Sequence, residues 1–175
     1  MTRGRAWCVA FAALTLIVAS GCGVSGLNFS DDKRVSFVAP GDRAKVRLPV
    51  TIRWTVRDFD VTGADGAARR DAGSFGVYVD RTPQPPGEKQ TWLVRNDQMC
   101  KNDPSLCGNK DFLAQRDVHT TTRTSFVIER LPLPFGDAKR RREFHEVTIV
   151  LLNGRGERIG ESAFVRQFEV DRGVS

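Results

Sequence analysis

Residues 50–57 read "VTIRWTVR", and their alternation decides the fold. Val50, Ile52, Trp54 and Val56 fall on one side of an extended chain, and Thr51, Arg53, Thr55 and Arg57 on the other. Side chains of a strand point to opposite faces with a period of two, so this is a half-buried strand with its apolar row on a core. The same device recurs along the chain. "SFGVYVD" aligns Phe75, Val77 and Val79, and "TSFVIER" places Phe126 with Ile128. "FHEVTIVLLN" aligns His145, Val147, Ile149 and Leu151, and "SAFVRQFEV" carries Phe164, Phe168 and Val170.

Between these runs lie turn-forming segments: "APGDR", "TGADGAARRDAG", "TPQPPGE", "LPLPFGD" and "NGRG". No stretch of ten residues carries the i, i+3, i+4, i+7 spacing of an amphipathic helix, and the one helical candidate is a short turn at residues 110–115. Many short strands with antiparallel connections predict an all-β sandwich of about seven to eight strands. Pleat parity adds one complication. If Val147, Ile149 and Leu151 point inward, Val150 and Leu152 point outward beside Tyr78, so they need either a covering loop or a partner. Trp92 in "KQTWLV" poses the same choice between packing on a short strand and facing a ligand. Tyr78, Trp92, Val150 and Leu152 therefore form the candidate binding face.

The N-terminal residues have another character. Arg3 and Arg5 precede an uncharged, mostly apolar segment at residues 6–21, followed by small residues around Cys22. That order of basic start, apolar middle and small-residue cut site is an export signal, and 16 apolar residues fall short of the roughly 20 that span a bilayer. Ala19-Ser20-Gly21-Cys22 resembles the lipobox of bacterial lipoproteins. The resemblance implies cleavage before a cysteine bearing diacylglycerol. It divides the chain into a signal peptide (1–21), a lipidated tether (22–33) and a sandwich domain (34–172), held on the extracytoplasmic face of the cell membrane.

Removal of residues 1–21 takes Cys8 with it, and the lipid occupies Cys22. Cys100 and Cys107 remain, in "CKNDPSLC". A close pair in an exported, oxidising setting reads as a disulfide. Zinc is disfavoured, because His119 and His145 show no ligand spacing with this pair. The net charge of +6 becomes +4 once Arg3 and Arg5 are removed. The basic run at residues 139–142 equals that excess, which is no nucleic-acid-binding stripe.

The order of strands resembles an immunoglobulin-like or fibronectin type III-like domain over residues 34–172. "LPVTIRW" is similar to the second strand, whose Trp plugs the core. "HEVTIVLLNGRGERIGES" is similar to the sixth strand and its turn. The matching positions are His145, Val147, Ile149, Leu151, Asn153, Gly156 and Ser162. His145 stands where the family has its corner tyrosine. The resemblance implies a buried imidazole hydrogen-bonded to the backbone of residues 133–139.

Motifs for chemistry are absent from the sequence. "GRGERIG" lies between strands, without the following helix that a phosphate loop needs. "DFDVTGADGAAR" begins like a calcium loop, but Arg69 stands at its twelfth position, where a bidentate Glu closes such loops. No serine or cysteine has a recognisable base beside it. The sequence thus predicts no catalytic residue, metal or cofactor. It predicts an anchored module that binds an envelope component or partner protein. The competing class is an enzyme or solute-capturing accessory protein with its site in residues 81–117.

Anchoring is testable at Cys22. Acyl chains contribute about 0.8 kcal/mol per buried CH₂, so a lipidated Cys22 holds the protein firmly. Cys22→Ala is expected to release the protein or stall its precursor. Mature, membrane-bound protein of unchanged mass from that variant would refute the lipid anchor.

Overall fold

The computed structural model describes residues 32–132 and 143–172. The signal segment, Cys22, residues 23–31 of the tether and the basic run lie outside the described residues. Among the described residues nine strands form two sheets. They are β1 (Val35–Ala39), β2 (Ala44–Val46), β3 (Val50–Val56), β4 (Asp60–Val61), β5 (Ala72–Val79), β6 (Val118–Thr121), β7 (Ser125–Ile128), β8 (Glu143–Asn153) and β9 (Phe164–Val170). A three-stranded sheet has the order β1-β3-β7. The larger sheet runs β2-β9-β8-β5-β4, with β6 also paired to β5. Two pairs, β2 with β9 and β4 with β5, are parallel, against the expectation of antiparallel pairing throughout. The first arises because residues 40–43 carry the chain from the small sheet, where β1 lies, to the large one.

The core between the sheets is the set of residues the alternation marked. Ile52 and Trp54 of β3 meet Phe75 and Val77 of β5, Val147, Ile149 and Leu151 of β8, and Phe168 of β9. The Trp54 ring stands edge-on to Phe75 at 5.4 Å, an arrangement that suits the aromatic quadrupoles. Each such side chain taken from water contributes about 1.5–3 kcal/mol.

The outer face of the large sheet holds a second core. Tyr78, Val150 and Leu152 are at most 1% exposed, beneath Val94, Cys100, Phe112 and Leu113. The cover is the insert between β5 and β6. It folds as a 3-10 turn (Gln90–Val94), α1 (Gln98–Asn102), a second 3-10 turn (Pro104–Gly108) and α2 (Lys110–Ala114). Its local order comes from caps. Asp97 accepts from Met99 N, Asp103 from Ser105 N, and Asn109 from Asp111 N and Phe112 N. These bonds satisfy helix-start donors that would otherwise lack partners. Arg116 returns to Asp97 at 2.8 Å and clamps the end of the insert to the start of α1. Cys100 and Cys107 are disulfide-bonded, with Cα atoms 5.1 Å apart, and tie α1 to the second 3-10 turn.

Tyr78 is fitted to this arrangement by Gly76 on the same face. A Cβ at Gly76 would lie 2.7 Å from the Tyr78 hydroxyl, so only glycine leaves room for the phenol to lie along the sheet. The hydroxyl donates to Gln84 Oε1 at 2.5 Å and accepts from Gln90 Nε2 at 3.2 Å. Gln90 Nε2 also donates to the His119 carbonyl, and Gln90 Oε1 accepts from Thr120. Burial raises the Tyr78 pKa to about 12, although its bonds to Gln90 and Gln84 oppose the shift. The phenol therefore stays a neutral donor.

Closing so short a disulfide loop contributes about 2.5 kcal/mol on the chain-entropy account. Cys100→Ser with Cys107→Ser is expected to lower stability by about that amount, measured by denaturant unfolding. Because the bond lies wholly within the insert, binding of an apolar dye to the bared outer face should rise before sandwich fluorescence changes. Coincident transitions would contradict that order.

Candidate functional site

The face proposed from the sequence is not free. Tyr78, Val150 and Leu152 are occupied by the insert, because their apolar row requires cover and residues 94–113 supply it. Trp92 sits in a 3-10 turn instead of the expected strand and is half-buried. The Arg95 guanidinium stacks on its ring at 3.4 Å. Among the described residues, no group of three or more His, Cys, Asp or Glu is arranged to hold a metal ion. In the calcium-like loop, Asp65 instead receives the Ala67 amide and pairs with Arg69.

A different site lies at the open side of the sandwich. β6 belongs to the large sheet and β7 to the small one, with only residues 122–124 between them. Val118 of β6 points into the outer core, so its neighbour His119 points the other way, toward the small sheet. There its ring meets Phe126 of β7 at 4.6 Å. This pair forms the saddle of a cleft with two lobes, which share Ala114, His119, Phe126 and Val127. One lobe, of about 440 Å³, is lined by Lys110, Asp111, Thr121 and Ser125. The other, of about 600 Å³, includes Asp117, Glu129 and Arg130. Val127 is 44% exposed, a branched apolar side chain in the open. Among the described residues β6 and β7 each pair on one side only, so the cleft is flanked by two strand edges with unpaired backbone.

The electrostatics of the saddle are mild. Burial lowers the His119 pKa, against the pull of the Asp117 charge, so the imidazole is neutral at neutral pH. Burial raises the Asp117 pKa, opposed by His119 and Arg81 and aided by Asp80. No hydrogen bond to the His119 ring is formed among the described residues. The cleft can therefore offer apolar contact, one amphipathic ring and rows of backbone donors and acceptors. Sequence reading missed it because its residues belong to two sheets. The three-residue link between β6 and β7 reads locally as an ordinary hairpin turn, so nothing in it announces that the two strands enter different sheets.

His145 lies elsewhere and is 8% exposed, on the same side of β8 as Val147 and Ile149. Its ring stacks on Phe168. The expected backbone partners, residues 133–139, lie outside the described residues, and both ring nitrogens are engaged by carboxylates. Nδ1 lies 2.6 Å from Asp80 and Nε2 2.7 Å from Glu143. Glu143 is also gripped by Arg172 through both oxygens, and Asp80 accepts from the Glu146 amide. The cluster thus joins the end of β5, the start of β8 and the segment after β9. Burial alone would lower the His145 pKa, but the hydrogen bonds and charges of Asp80 and Glu143 outweigh it and the net shift is upward. Arg172 foremost, then His145, brings Glu143 down to about 2 against the opposing effect of burial.

Comparison with protein-family models, with curated proteins and with solved structures found no match.

The His145 cluster gives a pH test. A raised histidine pKa stabilises fully below the ordinary value of 6.5 and is lost as pH climbs through the folded value. A lowered glutamate pKa stabilises fully above the ordinary 4.5 and is lost as pH falls toward about 2. The two windows overlap between those ordinary values. His145→Gln is therefore expected to cost most there, about 1–3 kcal/mol, and less above pH 7. A wild-type minus variant stability difference that stays flat with pH would remove the imidazolium from the account.

Proposed function

We propose that this chain is a lipid-anchored, extracytoplasmic binding module built on an immunoglobulin-like sandwich, and that its partner is a protein presenting an extended segment to the cleft at His119 and Phe126. Support for the immunoglobulin-like assignment comes from strand order. In that fold's lettering β1, β3 and β7 correspond to A, B and E, and β9, β8 and β5 to G, F and C. β2 lies beside β9 as a strand that has crossed between sheets, and β6 takes the place next to C. Trp54 fills the core from the second strand at 2% exposure. Support for the anchor is the N-terminal layout ending at Cys22.

The observation that carries the binding role is the cleft flanked by strand edges that are unpaired among the described residues. Strand addition obtains affinity from main-chain hydrogen bonds and specificity from pockets for alternate side chains. The β7 edge offers the first, and the two lobes beside Phe126 offer the second. A neutral, half-buried imidazole on an aromatic ring can contact either an apolar side chain or a peptide amide without first losing a charge.

A photo-crosslinking residue at Val127, with one at the exposed Val38 as control, tests this in native membranes. Val127 is expected to give a discrete protein adduct that Val38 does not give. Phe126→Ala should reduce its yield about tenfold, equivalent to about 1.4 kcal/mol of binding. Identical adducts from both positions, or none from Val127, would overturn the cleft as the docking site.

A further inference from the structure

Away from the cleft, a concavity of about 570 Å³ lies against the β8–β9 connection. Arg34, Arg69, Arg70 and Arg158 line it, against a single acid, Glu157. Three chain segments converge there: the start of β1, the β4–β5 loop and the proline-rich loop after β5. The last is fastened by Gly87 N to the Arg158 carbonyl and by Arg158 N to the Glu88 carbonyl, both at 2.9 Å.

The four cations are not equivalent. Arg34 is paired to Asp32 through two nitrogens, and its third nitrogen holds the Arg70 carbonyl at 2.8 Å. Arg69 is paired to Asp65. Glu157 is held by the Asn153 amide. Arg70 and Arg158 form no ion pair among the described residues. The Arg158 guanidinium donates to two backbone carbonyls, of Gln84 at 2.7 Å and Glu161 at 2.5 Å, while its Nε is buried with no partner. Burial pushes the Arg158 pKa down, opposed by the charge of Glu161. A partly desolvated guanidinium held by neutral carbonyls has its geometry determined and no carboxylate in contact, a state that a bound anion relieves.

We propose that this concavity is a binding site for a phosphate-class oxyanion, with Arg70 and Arg158 as its principal contacts and Arg34 positioning Arg70. A planar guanidinium matches tetrahedral phosphate oxygens with paired donors, so two such groups lining one concavity suit a phosphoryl group. The chemistry is shared by two sources: the phosphodiester headgroup of an anionic lipid and free phosphate. Chain length favours the headgroup. Arg34 lies twelve positions after Cys22, at most about 43 Å of chain, a tether on which the concavity can meet the membrane surface. That source rests on the lipid-anchored reading.

The test is arginine labelling by phenylglyoxal, read residue by residue by mass spectrometry, on the full chain as isolated from membranes and reconstituted into phosphatidylcholine vesicles. One arm adds phosphatidylglycerol to the vesicles and another adds inorganic phosphate. Labelling of Arg70 and Arg158 is expected to slow about fivefold with phosphatidylglycerol, the factor expected per basic side chain at an anionic surface. Arg53, on the small sheet and outside the concavity, should keep its rate. Slowing by inorganic phosphate alone supports the oxyanion site with a soluble source. Unchanged rates at Arg70 and Arg158 in both arms overturn the site. Protein that fails to float with the vesicles refutes anchoring, and the phosphate arm then still decides the site.

Discussion

The structure depends on the pairing of β5 with β8, because this pair is apolar on both faces. All eight residues of Ala72–Val79 are buried, and so are the seven residues from Val147 to Asn153. A sheet in water normally hides one face and wets the other. Here the inner face is matched by the three-stranded sheet, which leaves the outer row of Tyr78, Val150 and Leu152 to be covered by something else. The capped turns, the Cys100–Cys107 bond and the Arg116–Asp97 clamp all answer that demand. Five-residue helical turns have little stability of their own, and these persist because they shield a surface that water would penalise.

Legibility followed sequence distance. The alternation in "VTIRWTVR" and "HEVTIVLLN" identifies the inner core residue by residue, since one strand contains its own period. Pleat parity likewise marks Val150 and Leu152 as outward-facing. It cannot name what covers them, because Val94, Phe112 and Leu113 lie 37 to 58 positions away and each helical turn is too short to display a 3.6-residue period. The partners of His145 show the same limit. The family resemblance suggests a corner bond to nearby backbone, whereas one carboxylate, Asp80, comes from 65 positions earlier. A histidine can accept that arrangement and a tyrosine cannot, because two ring nitrogens can each face a carboxylate.

The cleft at His119 and the arginine concavity are assembled from loops and strand ends of separate segments, so no local pattern announces either. They also differ in chemistry. The cleft is a saddle of rings and backbone edges with a neutral imidazole, suited to a chain segment. The concavity is a set of guanidinium groups, two paired to carboxylates and Arg158 held by backbone carbonyls, to which we assign a compact anion. The stability of each draws on the same scaffold, since β5 carries Tyr78 toward the loop that backs the concavity and pairs with the strand that bears His119.

An unpaired strand edge is also a hazard, because it invites other copies of the same chain to add to it without limit. β7 is four residues long, and it is bounded by Arg123 on one side and Glu129 and Arg130 on the other. Short length and flanking charge are the devices by which natural sheets discourage stacking. Val127 is the exposed apolar residue between those charges. The edge that could receive one partner strand thus carries its own protection against self-aggregation, and substitutions that neutralise Arg123 or Arg130 would trade solubility for adhesiveness.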